Sequence, residues 1–268
     1  MADTTRFKLT VTDSRLVDII QWSTRVLSVH HTPGTEDPAQ RWTVEVEHTA
    51  ASGEQTRRAE VVSHVIISNG HYNEPYLPPI PGLGTSGIEL LHSRWWRNPV
   101  GLRGKNVVVV GSRASGSDIA RELAVDDYER GAKDRTIYQS VRGLSEGESV
   151  WDDDFPWAKS IQCIPEIVEV NGKTLTLANG KTVPGIDVIV FATGYLYSYP
   201  FFSRAPFDKH PVTQPLAGEE GGLPRAGGQN ILNLNNTDTF YVPDPTLAFI
   251  GLRELIPPST HSGAICPC

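Results

Sequence analysis

The segment VVVVGSRASGSDIARELA, residues 107–124, restricts the fold of this chain more than any other stretch. Its run of valines would make both faces of a strand apolar, which is typical of a parallel strand buried on both faces. Gly111 ends the run, and a helix is predicted to begin between Ser115 and Ser117. A second strand is predicted at RTIYQS, residues 135–140. Because parallel strands alternate with helices in α/β proteins, the pattern predicts an α/β fold with a parallel sheet.

The turn between this strand and this helix has the composition of a phosphate-binding loop. A helix start offers free backbone N–H groups and the positive end of the helix dipole, both of which favour an anion. Gly111 permits a tight turn and Gly116 lets the helix pack closely on the strand, although Arg113 replaces the middle glycine of the G-x-G-x-x-G pattern. We predict a pyrophosphate site of a dinucleotide here, with an ordinary strand–helix turn as the alternative. The predicted contacts are Gly111, Ser112, Arg113, Ala114, Ser115 and Gly116.

The end of the second strand indicates which dinucleotide binds. An NAD site usually has an acidic residue there, which accepts hydrogen bonds from the ribose hydroxyls. This chain reads TIYQSVR, so that Ser140 and Arg142 occupy the position and no acidic residue lies between them. A hydroxyl and a guanidinium would bind a 2′-phosphate, which favours NADPH over NADH. The alternative is that Arg142 is an ordinary solvated arginine.

Several segments together resemble the flavin-containing monooxygenase family, especially its fungal members. ISNGHYNEPYLPPIPGL (67–83) is similar to the family's connector between its flavin and NADPH domains. In GIELLHSRWWR (87–97), His92 and Trp96 keep the second half of the family fingerprint F-x-G-x-x-x-H-x-x-x-Y/F. DVIVFATGY (187–195) resembles the family's A-T-G-Y return strand, and IIQWSTRVLSV (19–29) resembles an earlier strand.

This resemblance implies a fold and an activity. The implied fold is a Rossmann-like NADPH-binding domain, residues 98–185, inserted in a partial FAD-binding domain of the type found in flavoproteins with two dinucleotide-binding domains. Residues 1–97 and 186–268 would form the two parts of that FAD-binding domain. The implied cofactors are NADPH and FAD. The implied reaction uses NADPH and O₂ to oxygenate nitrogen, sulfur or carbon in a small-molecule substrate.

The contacts to FAD are expected to be fewer than in the family as a whole. The start, MADTTRFKLT, lacks the glycine-rich loop with which family members begin, and the chain is expected to be shortened at both ends. FAD would then depend on Gly70, His71, Thr193 and Gly194. No catalytic side chain is predicted, since the flavin carries the oxygen chemistry in such enzymes. His92 is accordingly expected to order the domain junction rather than to catalyse.

Composition excludes several other classes of protein. A net charge of −7 and a pI of about 5.6 argue against a nucleic-acid partner. No stretch approaches the length of a membrane span, and the start is not a signal peptide, so a cytoplasmic location is expected. Cys163, Cys266 and Cys268 form no CxxC pair, which disfavours a flavin disulfide reductase. The run Asp152–Asp154 is expected to be a solvated loop, and no metal site is predicted.

Two alternatives to a heteroatom monooxygenase stay open at this stage. A Baeyer–Villiger monooxygenase shares the His92 and Trp96 half of the fingerprint. A catalytically inactive remnant that binds NADPH would keep the loop at Gly111 without the flavin. The oligomeric state is not indicated by the sequence.

Overall fold

The computed structural model describes residues 19–145, 147–152, 154–202, 204–209, 212–213, 228 and 231–252. The chain divides into two units. The first contains Met1–Ser68, Tyr199–Val212 and Leu232–Cys268, and the second contains Asn69–Ser198 and Thr213–Ile231. Within the described ranges, no helix is long and apolar enough to cross a membrane.

The first unit contains an antiparallel sheet of three strands, β1 (Thr24–His31), β2 (Trp42–Thr49) and β3 (Gln55–Val62), in that order. It also contains a parallel pair, β4 (Val65–Ile67) with β15 (Leu247–Phe249). The sequence AEVVSHVIISNG (59–70) reads as a single strand, and this interpretation is wrong. The segment breaks at Ser63 and His64, because β3 pairs with β2 whereas β4 pairs with β15.

A buried carboxylate stabilises the first unit. Asp244 is 2% exposed and accepts hydrogen bonds from Arg41 Nε at 2.6 Å and Thr246 Oγ1 at 2.6 Å. His31 Nε2 lies 2.8 Å from the same carboxylate. Burial works to raise the pKa of Asp244, but these hydrogen bonds outweigh it and hold the pKa below its ordinary value. The carboxylate therefore stays ionised and paired.

The second unit is built on a five-stranded parallel sheet. Its strands are β6 (Glu89–His92), β7 (Val107–Val110), β8 (Ile137–Ser140), β9 (Ile161–Ile164) and β13 (Val188–Phe191), in the order β6-β13-β7-β8-β9. The predicted strands of the valine run and of RTIYQS are confirmed as β7 and β8, which pair in parallel. The strands β6 and β9 were not predicted from the sequence.

Both faces of this sheet are covered, as the continuous apolar run predicts. Side chains alternate along a strand, so Val107 and Val109 contribute to one hydrophobic cluster and Val108 to the other. The first cluster includes the buried face of helix α1 (Ala114–Arg130). The helix residues buried there are Ile119, Ala120, Leu123 and Ala124. The α/β fold class is thereby confirmed.

Short antiparallel strands contribute to the second cluster. β10 (Ile167–Asn171), β11 (Thr174–Leu177) and β12 (Thr182–Val183) form a meander. Its turns lie at Asn171-Gly172 and Asn179-Gly180, and Asn-Gly pairs are typical of hairpin turns. The proline-dense connector is ordered in part by pairing β5 (Glu74–Pro75) with β14 (Tyr195–Leu196). It also packs tightly on β10, because a Cβ on Gly82 would lie 1.9 Å from the carbonyl oxygen of Val170.

The predicted domain boundaries at residues 97–98 and 185–186 both fall inside the second unit. β6 and β13 lie outside the predicted range 98–185, yet β13 pairs with β7 and β6 pairs with β13. The sheet therefore extends beyond that range. Which segments belong to a flavin domain stays a prediction.

Candidate functional site

Two positions at the turn after β7 have no space for a side chain and so require glycine. Gly111 has a φ of +117°, and a Cβ there would lie 2.5 Å from the carbonyl oxygen of Ala192. Gly116 lies in the first turn of α1, where a Cβ would lie 2.2 Å from the carbonyl oxygen of Gly111. Both positions bring backbone against backbone, which is the use that phosphate-binding turns make of glycine.

The start of α1 has no side-chain cap. Arg113 precedes the helix in an extended conformation, and its side chain makes no capping hydrogen bond. Ser117 Oγ donates to the carbonyl of Ser112 at 3.1 Å, and this hydrogen bond joins the first turn of α1 to the preceding turn. The N–H groups of the first helical turn have no intrahelical acceptor, so Ala114, Ser115 and Gly116 are suited to an anion.

The two residues predicted to contact a 2′-phosphate have different surroundings. Ser140 is 4% exposed, and its hydroxyl donates to the carbonyl of Pro165 at 3.1 Å. Arg142 has a side chain that is 82% exposed, and its Nε lies 3.6 Å from Glu166 Oε1. Arg142 is therefore available to an anion from solvent, whereas the proton of Ser140 is already used within the protein.

A second turn, at the carboxyl end of β13, is held by three hydrogen bonds to Tyr76 and His92. The carbonyl of Gly194 accepts from Tyr76 N–H at 3.0 Å and lies 3.0 Å from His92 Nε2. Thr193 Oγ1 donates to the carbonyl of Tyr76. Gly194 has a φ of +81°, the left-handed region that favours glycine. The predicted pair Thr193 and Gly194 thus lies at the carboxyl edge of the sheet, as does Gly111.

His92 is held in one neutral form. Its Nδ1 accepts from Arg94 N–H at 3.1 Å, so Nε2 carries the proton that it donates to Gly194. Burial lowers the pKa of His92, the hydrogen bond to Gly194 opposes this, and the charge of Arg94 adds to the lowering. A neutral, fully bonded imidazole orders the Gly194 turn and is not available as a general base.

We expect His92 to make the stability of the protein pH-dependent. Because its folded pKa lies below the ordinary value of 6.5, its stabilising effect is complete above about pH 6.5 and is lost as the pH falls further. His92→Gln should lower the free energy of unfolding by about 1–2 kcal/mol at pH 7 and flatten the loss between pH 7 and 5. Denaturant titrations at both pH values measure this.

The exposed His64 provides the matched control for that experiment. His64→Gln removes an exposed imidazole and should leave the free energy of unfolding at pH 7 unchanged. His30, whose pKa burial also lowers, is present in every variant. If the free energy of unfolding of His92→Gln fell between pH 7 and 5 as steeply as that of the unmodified protein, His92 would not be the source of this pH dependence.

A cleft of about 360 Å³ is lined by residues of the predicted flavin contact region. Its lining residues are Asn69, Gly70, His71, Tyr72, Asn73, Leu196 and Ser198. The His71 ring lies 4.2 Å from the Tyr72 ring and 5.2 Å from the Tyr197 ring. Its Nε2 is buried and has no hydrogen-bond partner within the described part of the chain. Since a buried polar atom without a partner costs free energy, this nitrogen is suited to a ligand or to water.

Sequence reasoning missed one buried residue that supports the turn after β7. Gln139 is 0% exposed in the middle of β8, where its Nε2 donates to the carbonyl of Gly111 at 3.0 Å. Its Oε1 accepts from Trp151 Nε1 at 2.6 Å. The available signal was an amide inside an otherwise apolar strand, because a buried amide must find partners for both its ends.

The other candidate residues have structural roles. Trp96 packs on the core and donates to Glu122 at 2.7 Å. The Asp152 carboxylate accepts from Asp154 N–H, and the described residues contain no group able to hold a metal ion. Asp153, Cys266 and Cys268 lie outside the described residues.

Comparison with known proteins identifies the family. Residues 4–157 and 136–210 match the model of the FMO-like family, described as flavin-binding monooxygenase-like. The chain belongs to this family. A match of this extent confirms the resemblance that the sequence motifs indicated.

Relatives of this flavin-binding monooxygenase-like chain include fungal proteins. It is 30% identical to the flavin-containing monooxygenase ustF2 of Aspergillus flavus over 204 residues, which cover 70% of this chain and 39% of that protein. It is 31% identical to the thiol-specific monooxygenase of Saccharomyces cerevisiae over 203 residues, which cover 72% of this chain and 41% of that protein. The chain thus spans about two fifths of the length of these relatives.

Solved structures of other proteins share the fold of this chain. Tmm from Pelagibacter sp. strain HTCC7211 superposes with a TM-score of 0.61 at 19% identity, covering 87% of this chain and 44% of that one. S-allyl-L-cysteine S-oxygenase from Allium sativum superposes with a TM-score of 0.61 at 24% identity, covering 85% and 44%. The expected Rossmann-like fold, with partial coverage of a two-domain flavoprotein, is confirmed.

Proposed function

We propose that this chain carries the NADPH-binding site of a flavin-dependent monooxygenase that oxygenates nitrogen or sulfur in a small substrate. The observation that carries the proposal is the glycine cradle at Gly111 and Gly116, where a Cβ at either position would meet backbone oxygen within 2.5 Å. Close backbone approach beside an uncapped helix start is what a dinucleotide pyrophosphate requires. The residues present therefore fit NADPH.

Each residue of the cradle has a distinct part in binding. Backbone N–H groups at Ala114, Ser115 and Gly116 would donate to the pyrophosphate, and the exposed Arg113 would neutralise its charge. Arg142, exposed at the end of β8, would bind the 2′-phosphate. Ser140 would contribute through the position of its backbone, since its hydroxyl donates to Pro165.

The cleft around His71 supports a flavin contact in the same unit. The unpartnered Nε2 of His71 would exchange a hydrogen bond with a ring heteroatom or oxygen of the flavin. Gly70, at a φ of +73°, makes room for the ligand beside it. Thr193 and Gly194 would hold the adjoining turn, with His92 as its support.

The chain's own groups bind and orient, and the cofactors supply the chemistry. When bound, NADPH supplies the hydride and FAD activates oxygen. His92 stays neutral and hydrogen-bonded, so no proton transfer is assigned to it. Sulfur and nitrogen are favoured as the oxygenated atoms because relatives are named a thiol-specific monooxygenase and a trimethylamine monooxygenase, the latter from Pelagibacter ubique.

Two measurements on the purified protein test this function. Added FAD should give a bound absorbance band at roughly 450 nm. NADPH should then be oxidised in an O₂-dependent reaction that a sulfide or a tertiary amine accelerates. Acceleration by a ketone instead would indicate Baeyer–Villiger chemistry. Binding of NADP⁺ without uptake of FAD would leave a dinucleotide-binding protein and overturn the monooxygenase assignment.

Arg142→Gln should weaken NADP⁺ binding about 10-fold and leave NAD⁺ binding unchanged. The variant removes one charge-assisted hydrogen bond to the 2′-phosphate, and a factor of ten in affinity corresponds to about 1.4 kcal/mol. Isothermal titration calorimetry with NADP⁺ and with NAD⁺ measures the ratio of the two dissociation constants. Arg121→Gln is the control, since it removes a positive charge from an exposed side chain of α1. Equal losses for both dinucleotides would refute the role of Arg142.

A further inference from the structure

The carboxyl ends of β8 and β9 bring together two opposite charges that are far apart in the sequence. The backbone N–H of Val141 donates to the carbonyl of Ile164 at 2.9 Å. The segment that follows β8 therefore lies beside the segment that follows β9. Arg142 and Glu166 follow directly, with 3.6 Å between Nε and Oε1. Parallel pairing therefore places a carboxylate beside the arginine that would bind the 2′-phosphate.

The position of Glu166 is fixed by its backbone. Its carbonyl accepts from Ala178 N–H at 2.8 Å, and the next residue, Ile167, is 4% exposed in the core. Its side chain is 49% exposed and reaches out beside Arg142. The Ser140 hydroxyl is committed to Pro165, so it cannot offset the carboxylate by donating to a phosphate.

We propose that Glu166 is a specificity-determining residue that reduces the preference of this site for NADPH over NADH. The inference rests on the proposed dinucleotide function and deepens it. A 2′-phosphate carries nearly two negative charges, so it would compete with Glu166 for the same guanidinium and be repelled by the carboxylate. The 2′-hydroxyl of NADH meets no such repulsion, and a carboxylate can accept its hydrogen bond.

The site consequently has one side chain that favours NADPH and one that favours NADH. Arg142 favours the phosphate, whereas Glu166 favours the hydroxyl and partly cancels Arg142. Removing the carboxylate should release the guanidinium for the phosphate. An exposed ion pair contributes little to stability, so Glu166→Gln should fold as the unmodified protein does.

The test compares the dissociation constants of NADP⁺ and NAD⁺ for the unmodified chain and its variants. Glu166→Gln should tighten NADP⁺ about 3- to 10-fold, and NAD⁺ should be unchanged or weaker. The effect should shrink at high salt, which screens exposed charges. In an Arg142→Gln background it should also shrink, because the competition needs both residues. Glu169→Gln is the matched control, since Glu169 is exposed on the neighbouring β10.

The outcomes separate this proposal from the function on which it rests. If the unmodified chain and the variants bind NADP⁺ but Glu166→Gln leaves the NADP⁺ to NAD⁺ ratio unchanged, the role of Glu166 is overturned and the dinucleotide site stands. If no variant binds either dinucleotide, the proposed function fails, and this inference fails with it. Thermal unfolding of each variant verifies the fold. Glu166→Asp, which moves the charge away from Arg142, should give an intermediate ratio.

Discussion

Gly116→Ala should reduce the affinity for NADP⁺ by roughly 100-fold, equivalent to about 3 kcal/mol. The added Cβ would lie 2.2 Å from the carbonyl oxygen of Gly111, a backbone atom that no side-chain rotation can move away. The start of α1 must therefore shift away from the turn, and the N–H groups that would bind the pyrophosphate shift with it. The same overpacking should lower the free energy of unfolding by about 3 kcal/mol. Titration calorimetry and chemical unfolding measure the two effects.

Gly101→Ala is the control for this variant. Gly101 lies in the same unit without a positive φ, and a Cβ there would meet nothing within 4 Å. Stability and affinity should both stay unchanged in the control. If Gly116→Ala bound NADP⁺ as tightly as the unmodified chain, the contact between helix and turn would not be the basis of the site.

Arg135→Met should lower the free energy of unfolding by about 3–5 kcal/mol, the usual cost of breaking a buried ion pair. The Arg135 side chain is 0% exposed and contacts Asp126 at 2.7 Å and Asp127 at 2.8 Å. It also donates to the carbonyl of Leu123 at 2.8 Å, which ties the segment before β8 to α1. Methionine fills similar space but leaves the carboxylates short of a partner. Denaturant unfolding monitored by circular dichroism measures the loss.

Arg121→Met is the control for that experiment, because it measures the loss in the free energy of unfolding when an exposed ion pair is broken. Arg121 also pairs with an aspartate of α1, but both side chains are more than half exposed, so the expected loss is below about 0.5 kcal/mol. Similar losses in the two variants would mean that Arg135 acts as a surface charge. Should Arg135→Met not fold, Arg135→Lys should show a smaller loss, because it keeps the charge but loses part of the hydrogen bonding.

The part of the site that depends on local sequence was predictable. The valine run, Gly111 and Gly116 determine a strand, a turn and a helix start within a short segment, because each acts on its immediate neighbours. The parts that depend on pairing between distant segments were not. β9 and Glu166 join the site only because β9 pairs with β8, and no local signal indicates that pairing. The direction of the Ser140 hydroxyl likewise depends on Pro165, which the next strand positions.

Gln139 links the turn at Gly111 to the core. Its amide donates to Gly111 at one end and accepts from Trp151 at the other, and none of its surface is exposed. Glutamate would place an acceptor against the carbonyl of Gly111, leucine would leave two polar groups unpaired, and asparagine is one methylene too short to span the gap. Related chains that keep this turn and this tryptophan should therefore vary little at position 139. A side chain that is buried away from the surface thus determines the geometry of the turn together with Gly111.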